Sequence, residues 1–253
     1  MDKEHKWRLE RCGYITASML SEITSKSGKI IDGTLTAIRS KRFERKHGYP
    51  LQVSSRTMEI GTENEKYVIE WFRNQHPDIP IIYAQEMEEN IPFWKVDWAK
   101  FGASPDAFTE DERIVIDAKT VVSNSNIEFF ADEYTSYEEK KAKVWEEHGD
   151  QILGLWLSNP KTEEVWIVKH IYCDEFNEFE PADPLAPWRG LVFKFSRDAY
   201  RESIAYMRDR IILIDKMIDA PINPSEFKVG EWSVIDGELK QTIVEKPEKP
   251  KKK

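Results

Sequence analysis

The sequence is poor in cysteine and contains no long apolar run. Its two cysteines, Cys12 and Cys173, are too few and too distant in the 253-residue chain for a disulfide framework or a zinc site. No apolar stretch approaches the roughly 20 residues that span a bilayer. The charged start at residues 2–6 leads into no signal-peptide core. We therefore expect a soluble, cytoplasmic protein with reduced cysteines and no membrane partner.

Positive charge is outnumbered by negative charge, with 37 Lys and Arg against 46 Asp and Glu, and it is unevenly distributed. A net charge of -9 argues against a nucleic-acid partner, because lysine and arginine drive phosphate binding. Residues 1–60, however, carry 12 Lys and Arg against 7 Asp and Glu, a balance of +5 that leaves -14 for the remainder. A basic surface near the N-terminus is therefore compatible with the composition.

The most informative stretch is 102–120, GASPDAFTEDERIVIDAKT. Its second half alternates as a strand does, which places Asp117 and Lys119 on one face. The apolar run Ile-Val-Ile before Asp117 is typical of a central strand. The polar segment 109–113 predicts a hairpin turn that folds Asp106 back beside Asp117.

This combination of side chains predicts hydrolysis of a phosphate ester. Two carboxylates make an oxygen-rich site for magnesium or manganese, and a lysine beside them can orient or deprotonate a water. The alternative is that Asp106 caps a turn while Asp117 and Lys119 form a surface pair. Asp117 and Lys119 lie at the end of a central strand, where burying a charge costs free energy unless the charge has a function.

Two helices supply further polar candidates. On the helix predicted over 62–75, Glu65 lies within an apolar face, so it must be paired, protonated or bound to metal. A salt bridge would also satisfy it. On the helix predicted over 137–157, Gln151 shares a face with His148 and can donate and accept hydrogen bonds near a scissile phosphate.

Near the N-terminus, Arg11 precedes a predicted helix start capped by Thr16. Free backbone N–H groups at a helix start attract anions, and the hydroxyl of Ser18 adds a donor. These residues form either a phosphate cradle or an ordinary capped helix with a surface arginine. The basic helix predicted over 34–47 likewise either follows a DNA backbone or presents a solvated face.

The remaining pattern predicts an α/β fold with a mixed central β-sheet flanked by helices. Strands are expected within 80–99 and at 163–172 and 191–195, and a long helix is expected to run to about residue 220. The segment 121–136 has loop character; its Phe129–Phe130 pair either stacks on DNA or forms a small apolar cluster. Residues 1–220 are read as a single domain, and 221–253 as a turn-rich tail with a disordered, lysine-rich end.

Four motifs carry a family resemblance. Pro105-Asp106 with Asp117-Ala118-Lys119 resembles the PD-(D/E)xK nuclease signature. The run from Arg11 to Ser18, RCGYITAS, is similar to the R-x-G-x-I-T-A-S opening of lambda exonuclease and the YqaJ-type phage recombination nucleases. Gly61 and Glu65 match the family's G-x-x-x-E helix, and Gln151 matches its glutamine. Leu155 stands where a tyrosine is commoner, and the motifs cover residues 11–151 but not the C-terminal third.

The resemblance implies a restriction-endonuclease-like core and a role for each motif residue. Asp106, Asp117, the Ala118 carbonyl and Glu65 would bind two Mg²⁺ or Mn²⁺ ions. The residues expected to handle the attacking water are Lys119 and Gln151, and those expected to hold the DNA 5′-phosphate are Arg11 and Ser18.

The activity that the resemblance implies is a 5′→3′ exonuclease on double-stranded DNA ends, which leaves 3′ single strands for phage-type recombination. It also implies a ring-shaped trimer, a single-strand annealing partner and, for a phage-encoded protein, the bacterial host cytoplasm. Two other functions stay open at this point: a restriction or repair endonuclease of the same superfamily, and a non-catalytic DNA-binding recombination accessory protein.

Overall fold

The computed structural model describes residues 2–25, 27–51, 55–172 and 183–242. These residues form seven α-helices and ten β-strands. The helices are α1 (Lys3–Glu10), α2 (Leu20–Ile23), α3 (Asp32–His47), α4 (Arg56–Gln75), α5 (Asn124–Ala131), α6 (Tyr137–Ser158) and α7 (Arg201–Asp219). The strands are β1 (Ile15–Thr16), β2 (Ile82–Tyr83), β3 (Trp94–Lys95), β4 (Phe101–Ala103), β5 (Ala107–Phe108), β6 (Ile114–Val121), β7 (Glu164–Ile171), β8 (Gly190–Ser196), β9 (Glu231–Ile235) and β10 (Glu238–Thr242).

A five-stranded mixed sheet forms the centre of the fold, in the order β2-β5-β6-β7-β8. The middle strand β6 pairs antiparallel with β5 and parallel with β7, and β8 pairs antiparallel with β7. A parallel β6–β7 pair needs a crossover connection, which the helices α5 and α6 supply. The predicted α/β fold with a mixed central sheet is confirmed.

The two faces of the central sheet pack against different helices. Val115 of β6 belongs to the main core, which includes Ile152 of α6 and Ile211 of α7. Ile116, on the opposite face, packs with Val68 and other apolar residues of α4. The predicted alternation of β6 side chains is therefore confirmed, and burial on both faces explains why the strand begins with consecutive apolar residues.

A smaller three-stranded sheet, β1-β4-β3, brings the N-terminal motif to the centre of the chain. β1 runs parallel to β4, with Ile15 beside Phe101 and Thr16 beside Gly102. Gly102 has no room for a side chain, since a Cβ there would lie 2.6 Å from the Phe93 ring. Because β4 leads directly into Asp106, the sheet aligns residues 11–18 with the approach to that aspartate.

The helix α6 follows the predicted 137–157 segment closely. Its N-terminus carries a capping box, in which Ser136 Oγ accepts from Glu139 N and Glu139 Oε2 accepts from Ser136 N at 2.9 Å. These reciprocal bonds satisfy backbone groups that the first helical turn leaves unpaired. The capping box sets the residue at which α6 begins, and α6 is long enough to bring Gln151 to the central sheet.

The segment 121–136 contains a helix, α5, where the sequence predicted a loop. Ser123 caps it by accepting a hydrogen bond from Asn126 N. Phe130 is 4% exposed in the main core, and Lys140 Nζ binds the carbonyls of Phe130 at 2.9 Å and Asp132 at 2.7 Å. Tertiary contacts thus order a segment whose polar composition favours turns.

The chain continues as ordered structure beyond α7. Phe227, in a 3-10 turn at Pro224–Lys228, is fully buried in the main core. β9 and β10 form an antiparallel hairpin whose Trp232 and Leu239 pack against that core. Cys173, most of the β7–β8 connection and the lysine-rich end lie outside the described residues. No described helix is long and apolar enough to cross a membrane.

Candidate active site

The β5–β6 hairpin joins Asp106 to Asp117, as the sequence predicted. Ala107 pairs with Ile116 and Phe108 with Val115, so Asp106 stands one position beyond the last pair, opposite Asp117. The Ala118 N–H donates to Asp106 Oδ2 at 2.7 Å. The turn is closed by Thr109 and Asp111, with Thr109 Oγ1 donating to Asp111 Oδ1 at 2.6 Å. Local turn chemistry therefore sets the spacing of the two aspartates.

Asp117 is the buried centre of the site. Its side chain is 1% exposed, and Lys119 Nζ lies 2.6 Å from its Oδ2. Oδ2 accepts no well-aligned hydrogen bond in the described part of the chain, so the contact with Lys119 is an ion pair of poor hydrogen-bond geometry. Gln151 Nε2 donates to Oδ1 at 2.7 Å. This burial rules out the surface pair considered above, and the Gln151 bond joins α6 to β6 at Asp117.

Glu65 joins the site from α4. Burial raises the pKa of Glu65, and the Asp117 charge raises it as well. A hydrogen bond with Tyr83 and the Lys119 charge lower this pKa. Its Oε1 is buried without a hydrogen-bond partner among the described residues. The pKa of Tyr83 is raised in turn, because burial and the Glu65 charge disfavour its phenolate. Buried Val68, Ile69 and Phe72 follow Glu65 on the same helix, as predicted, and no salt bridge within the described ranges satisfies the Glu65 carboxylate.

The surroundings of Asp106 disfavour its ionised form. Burial raises its pKa well above the ordinary range, and the charges of Glu65 and Asp117 raise it further. The Lys119 charge and the hydrogen bond from the Ala118 N–H act in the opposite direction and lower this pKa. Burial alone would lower the pKa of Lys119, but the Asp117 and Asp106 charges outweigh it and raise that pKa. Three carboxylates thus surround one ammonium, an excess of negative charge that a cation would relieve.

The donor set fits a hard divalent cation. Carboxylate and carbonyl oxygens are the ligands that magnesium and manganese prefer, and the unpartnered Glu65 Oε1 is a buried oxygen in need of a positive partner. In the described residues, no group of three or more His, Cys, Asp or Glu side chains has a metal-binding arrangement. The metal roles of Asp106, Asp117, Ala118 and Glu65 therefore stay predictions.

Arg11 lies beside the aspartate site. Its guanidinium stacks on the Trp7 ring, 4.0 Å from the centroid, and Trp7 Nε1 donates to Ser104 Oγ at 2.9 Å, two residues before Asp106. Burial lowers the pKa of Arg11 to about 10, while the charges of Asp106 and Glu44 support its protonated form. Arg11 is therefore a cation within the electric field of the carboxylates.

Ser18 has a looser place in this arrangement. It is exposed, in the 3-10 turn at Ala17–Met19, and its Oγ lies 3.2 Å from Thr16 Oγ1. No hydrogen bond joins it to Arg11 in the ranges that the structure describes. The turn is held against α6, because a Cβ at Gly154 would lie 2.6 Å from Ala17 Cβ. The shared 5′-phosphate role of Arg11 and Ser18 stays a prediction.

A second charged cluster adjoins the site and was not predicted as such. Lys169 of β7 stands beside Lys119 in the parallel register, and its Nζ lies 2.8 Å from Glu147 Oε2 and 2.7 Å from His148 Nε2. Burial and the nearby lysines lower the pKa of His148 to about 2, so it accepts from Lys169 as a neutral ring. Helical spacing predicted His148 only as a polar neighbour of Gln151, since the β6–β7 register cannot be read from the sequence.

The contacts of two α3 arginines and of Phe130 decide between the alternatives given above for those side chains. Arg42 of α3 donates to four carbonyls at the end of α7, those of Met217, Ile218, Ala220 and Ile222. Arg45 pairs with Asp215 and Asp219. These arginines anchor α3 to α7 rather than forming a solvated face. Phe130 packs against Phe193, so it belongs to an apolar cluster.

The comparisons with known proteins place the fold among exonucleases. No protein-family model and no curated protein matches the sequence. An alkaline exonuclease from Laribacter hongkongensis has a similar structure, with a TM-score of 0.57 and 16% identity over 85% of this chain and 94% of that chain. Its complex with dAMP gives a TM-score of 0.53 over the same shares.

A phage-related exonuclease from Haemophilus somnus 129PT is also similar, with a TM-score of 0.56 and 18% identity over 81% of this chain and 93% of that chain. At these identities the likeness concerns the fold. It agrees with the nuclease fold that the motif resemblance predicts, and the match extends over most of both chains.

Proposed function

We propose that this chain is a metal-dependent 5′→3′ exonuclease that degrades one strand of linear double-stranded DNA. The product is a 3′ single-stranded overhang of the kind used in homologous recombination. The observation that carries the proposal is the convergence of Asp106, Asp117 and Glu65 around Lys119, next to Arg11. The exonuclease neighbours support it, and one of them was solved with dAMP, a nucleoside monophosphate.

The carboxylates would hold the metal and the neighbouring side chains would manage the water. Asp106, Asp117, the Ala118 carbonyl and Glu65 would hold Mg²⁺ or Mn²⁺, two ions in the full site. Bound ions of this kind lower the pKa of water and stabilise the departing oxygen. Lys119 would orient the attacking water or take its proton.

Gln151 would keep Asp117 in place through the 2.7 Å hydrogen bond to Oδ1. It holds Oδ1, while Oδ2, the oxygen toward Lys119, accepts no well-aligned hydrogen bond from any residue that the structure describes. A neighbour that fixes a metal-binding carboxylate commonly affects affinity or activity by about 10- to 100-fold when it is removed.

The end of the DNA strand would be held by Arg11 and Ser18. A guanidinium forms paired, charge-assisted hydrogen bonds to a phosphate, and the Arg11 guanidinium lies over the Trp7 ring, 4.0 Å from its centroid. The proximity of Arg11 to Asp106 would place a terminal phosphate close to the carboxylates. Such an arrangement selects the first phosphodiester of a 5′-phosphorylated strand.

The partners of this activity would be double-stranded DNA ends, a single-strand annealing protein and two further copies of the chain. The acidic balance of -14 beyond residue 60 limits non-specific attraction of DNA to the rest of the surface. The basic N-terminal sixty residues would face the substrate.

Digestion of an end-labelled duplex tests the activity and its direction. A linear duplex labelled separately at each 5′ and 3′ end, with and without a terminal phosphate, should lose its 5′ label first as mononucleotide and only in the presence of Mg²⁺ or Mn²⁺. Early release of the 3′ label would contradict the direction. Cleavage of covalently closed circular DNA would favour an endonuclease, and no manganese uptake in a calorimetric titration would favour a non-catalytic accessory protein.

A further inference from the structure

The turn that carries Arg11 is held by two consecutive side chains of α3. Gly13, with a φ of 76°, ends this turn in the left-handed region, where glycine is the favoured residue. Its N–H donates to Glu44 Oε2 at 2.7 Å, and its carbonyl accepts from Arg45 Nε at 2.9 Å. Both polar groups of a single backbone residue are therefore bound by side chains that are 31 and 32 positions away in the sequence.

These two side chains are themselves fixed. Glu44 is 4% exposed, and its carboxylate also accepts from Lys41 Nζ at 2.7 Å and Leu51 N at 3.2 Å. A buried carboxylate with three donors is stable and directional, whereas an unpaired one is costly. The Glu44 charge also supports protonated Arg11.

Arg45 reaches the turn while anchored on the other side. Its Nη2 lies 2.5 Å from Asp215 Oδ1 and its Nη1 lies 2.8 Å from Asp219 Oδ1, both on α7. A Cβ added to Gly13 would lie 2.8 Å from Arg45 Cγ, so the turn and the arginine stem are in close contact. The turn is therefore tied through Arg45 to the rigid α7 rather than to a loop.

Arg11, in contrast, has free donors. Its guanidinium donates no hydrogen bond to another described residue; its neighbours are the Trp7 ring and the Asp106 and Glu44 charges. The group that would bind a phosphate is thus held in place by stacking and by its backbone. A phosphate contact of this kind depends on geometry, because misplacement by about 1 Å at a reacting group is costly.

We propose that Glu44 and Arg45 are positioning residues for 5′-phosphate recognition, holding the Arg11–Gly13 turn so that the Arg11 guanidinium stays beside Asp106. This inference rests on the proposed function. It extends the 5′-phosphate pocket to two residues outside the RCGYITAS motif, neither of which touches the phosphate.

Arg42 provides a matched control on the same helix. It anchors α3 by donating to the carbonyls at the end of α7, whereas the α3 side chains that bind the Gly13 backbone are Glu44 and Arg45. Arg42→Met should therefore lower the unfolding midpoint without changing phosphate recognition. Arg45→Lys is a mild variant, because lysine keeps a charge for Asp215 and lacks the Nε–H group that binds the Gly13 carbonyl.

Fluorescence anisotropy in EDTA measures this recognition without catalysis. For each protein, the Kd of a blunt duplex with a 5′-hydroxyl is divided by the Kd of the same duplex with a 5′-phosphate. We expect Glu44→Ala and Arg45→Lys to reduce this ratio about five- to tenfold, roughly the net worth of one intramolecular hydrogen bond, while Arg42→Met leaves it within about twofold.

Two results are decisive in different ways. If Arg11→Ala lowers the ratio but folded Glu44→Ala and Arg45→Lys both keep the wild-type value, the positioning inference is overturned and the proposed function stands. If the wild-type protein binds both duplexes equally, the phosphate pocket of the proposed function is wrong, and the positioning inference falls with it.

Discussion

Replacing Asp106 with asparagine measures the cost of assembling the carboxylates. The pKa of Asp106 is raised well above its ordinary value by burial and by Glu65 and Asp117. A folded-state pKa above the unfolded value of about 3.9 means that the ionised side chain destabilises the fold. This cost is absent below the unfolded pKa, and it grows as the pH rises through the folded pKa.

The expected gain in stability of Asp106→Asn follows from the contacts of the Asp106 side chain. Each unit of pKa difference corresponds to about 1.4 kcal/mol, and an asparagine oxygen can still accept from the Ala118 N–H. Part of the gain is offset, because Asp106 also supports the charges of Lys119 and Arg11. We expect Asp106→Asn to raise the free energy of unfolding by about 1–2 kcal/mol at pH 8 in EDTA, and by less at pH 5.

Thermal unfolding with and without Mg²⁺ is the assay. For a chain of this size about 1 kcal/mol shifts the midpoint by roughly 2–4 °C. Mg²⁺ at 100 times its Kd should stabilise the wild type by about 2.7 kcal/mol, and the variant should lose most of this increase. Asp111→Asn is the control, since hydrogen bonds from Thr109 and Arg113 lower the pKa of that exposed group, so its removal gives no gain in EDTA.

Two outcomes would refute this reasoning. The first is an Asp106→Asn variant no more stable than wild type in EDTA at pH 8, which would mean that the carboxylates do not repel one another as the structure indicates. The second is an undiminished Mg²⁺ shift in that variant, which would place the ion elsewhere in the protein.

Other substitutions test the remaining site residues. Asp117→Ala and Lys119→Ala should each abolish Mg²⁺-dependent degradation of linear duplex, with circular dichroism unchanged; full activity in either variant contradicts the site. Gln151→Leu should lower kcat about 10- to 100-fold at a similar unfolding midpoint, and wild-type kcat would show that its bond to Asp117 is dispensable. Arg11→Ala should mainly remove the preference for 5′-phosphorylated ends, measured as a ratio of initial digestion rates. Glu65→Gln should stabilise the protein in EDTA at pH 8, because the raised pKa of Glu65 has the same sign of linkage as that of Asp106; a loss of stability would contradict its burial.

The part of the site that could be predicted is the part built by local chain geometry. Asp106 and Asp117 are joined by a short hairpin, so strand alternation and turn composition are enough to bring them together. Glu65 could be identified as an anomaly, because a charge on an apolar helix face must have a partner. The helical period put Gln151 on a face with His148, and the family resemblance marked it as a site residue.

The rest depends on pairings between distant segments. Arg11 reaches Asp106 because β1 pairs in parallel with β4, a contact between residues about 85 positions apart that no local pattern encodes. Lys169 stands beside Lys119 through the β6–β7 register. Nothing in the sequence around either lysine indicates that register.

Strand content was overestimated between residues 80 and 99 for a related reason. Aromatic and β-branched residues favoured two strands there, but only Ile82–Tyr83 and Trp94–Lys95 are paired. Phe93 is buried, and Trp94 packs edge-on against Phe108. These rings fill the core from irregular backbone, so their composition reflects packing rather than a long ladder.

The energetics of the site favour a functional over a structural origin. A fold gains nothing by placing three carboxylates around a single lysine, since Asp106 and Glu65 are held at raised pKa values and an oxygen of Glu65 is left without a partner. The surrounding structure keeps them there through the hairpin, the Gln151 bond and the apolar packing of α4 and α6. Such unfavourable burial of charge persists where the cluster serves a function and the rest of the fold offsets its cost in stability. Asparagine at position 106 would keep an acceptor for the Ala118 N–H without adding a charge, so the cost of the aspartate is the cost that the proposed cation would offset.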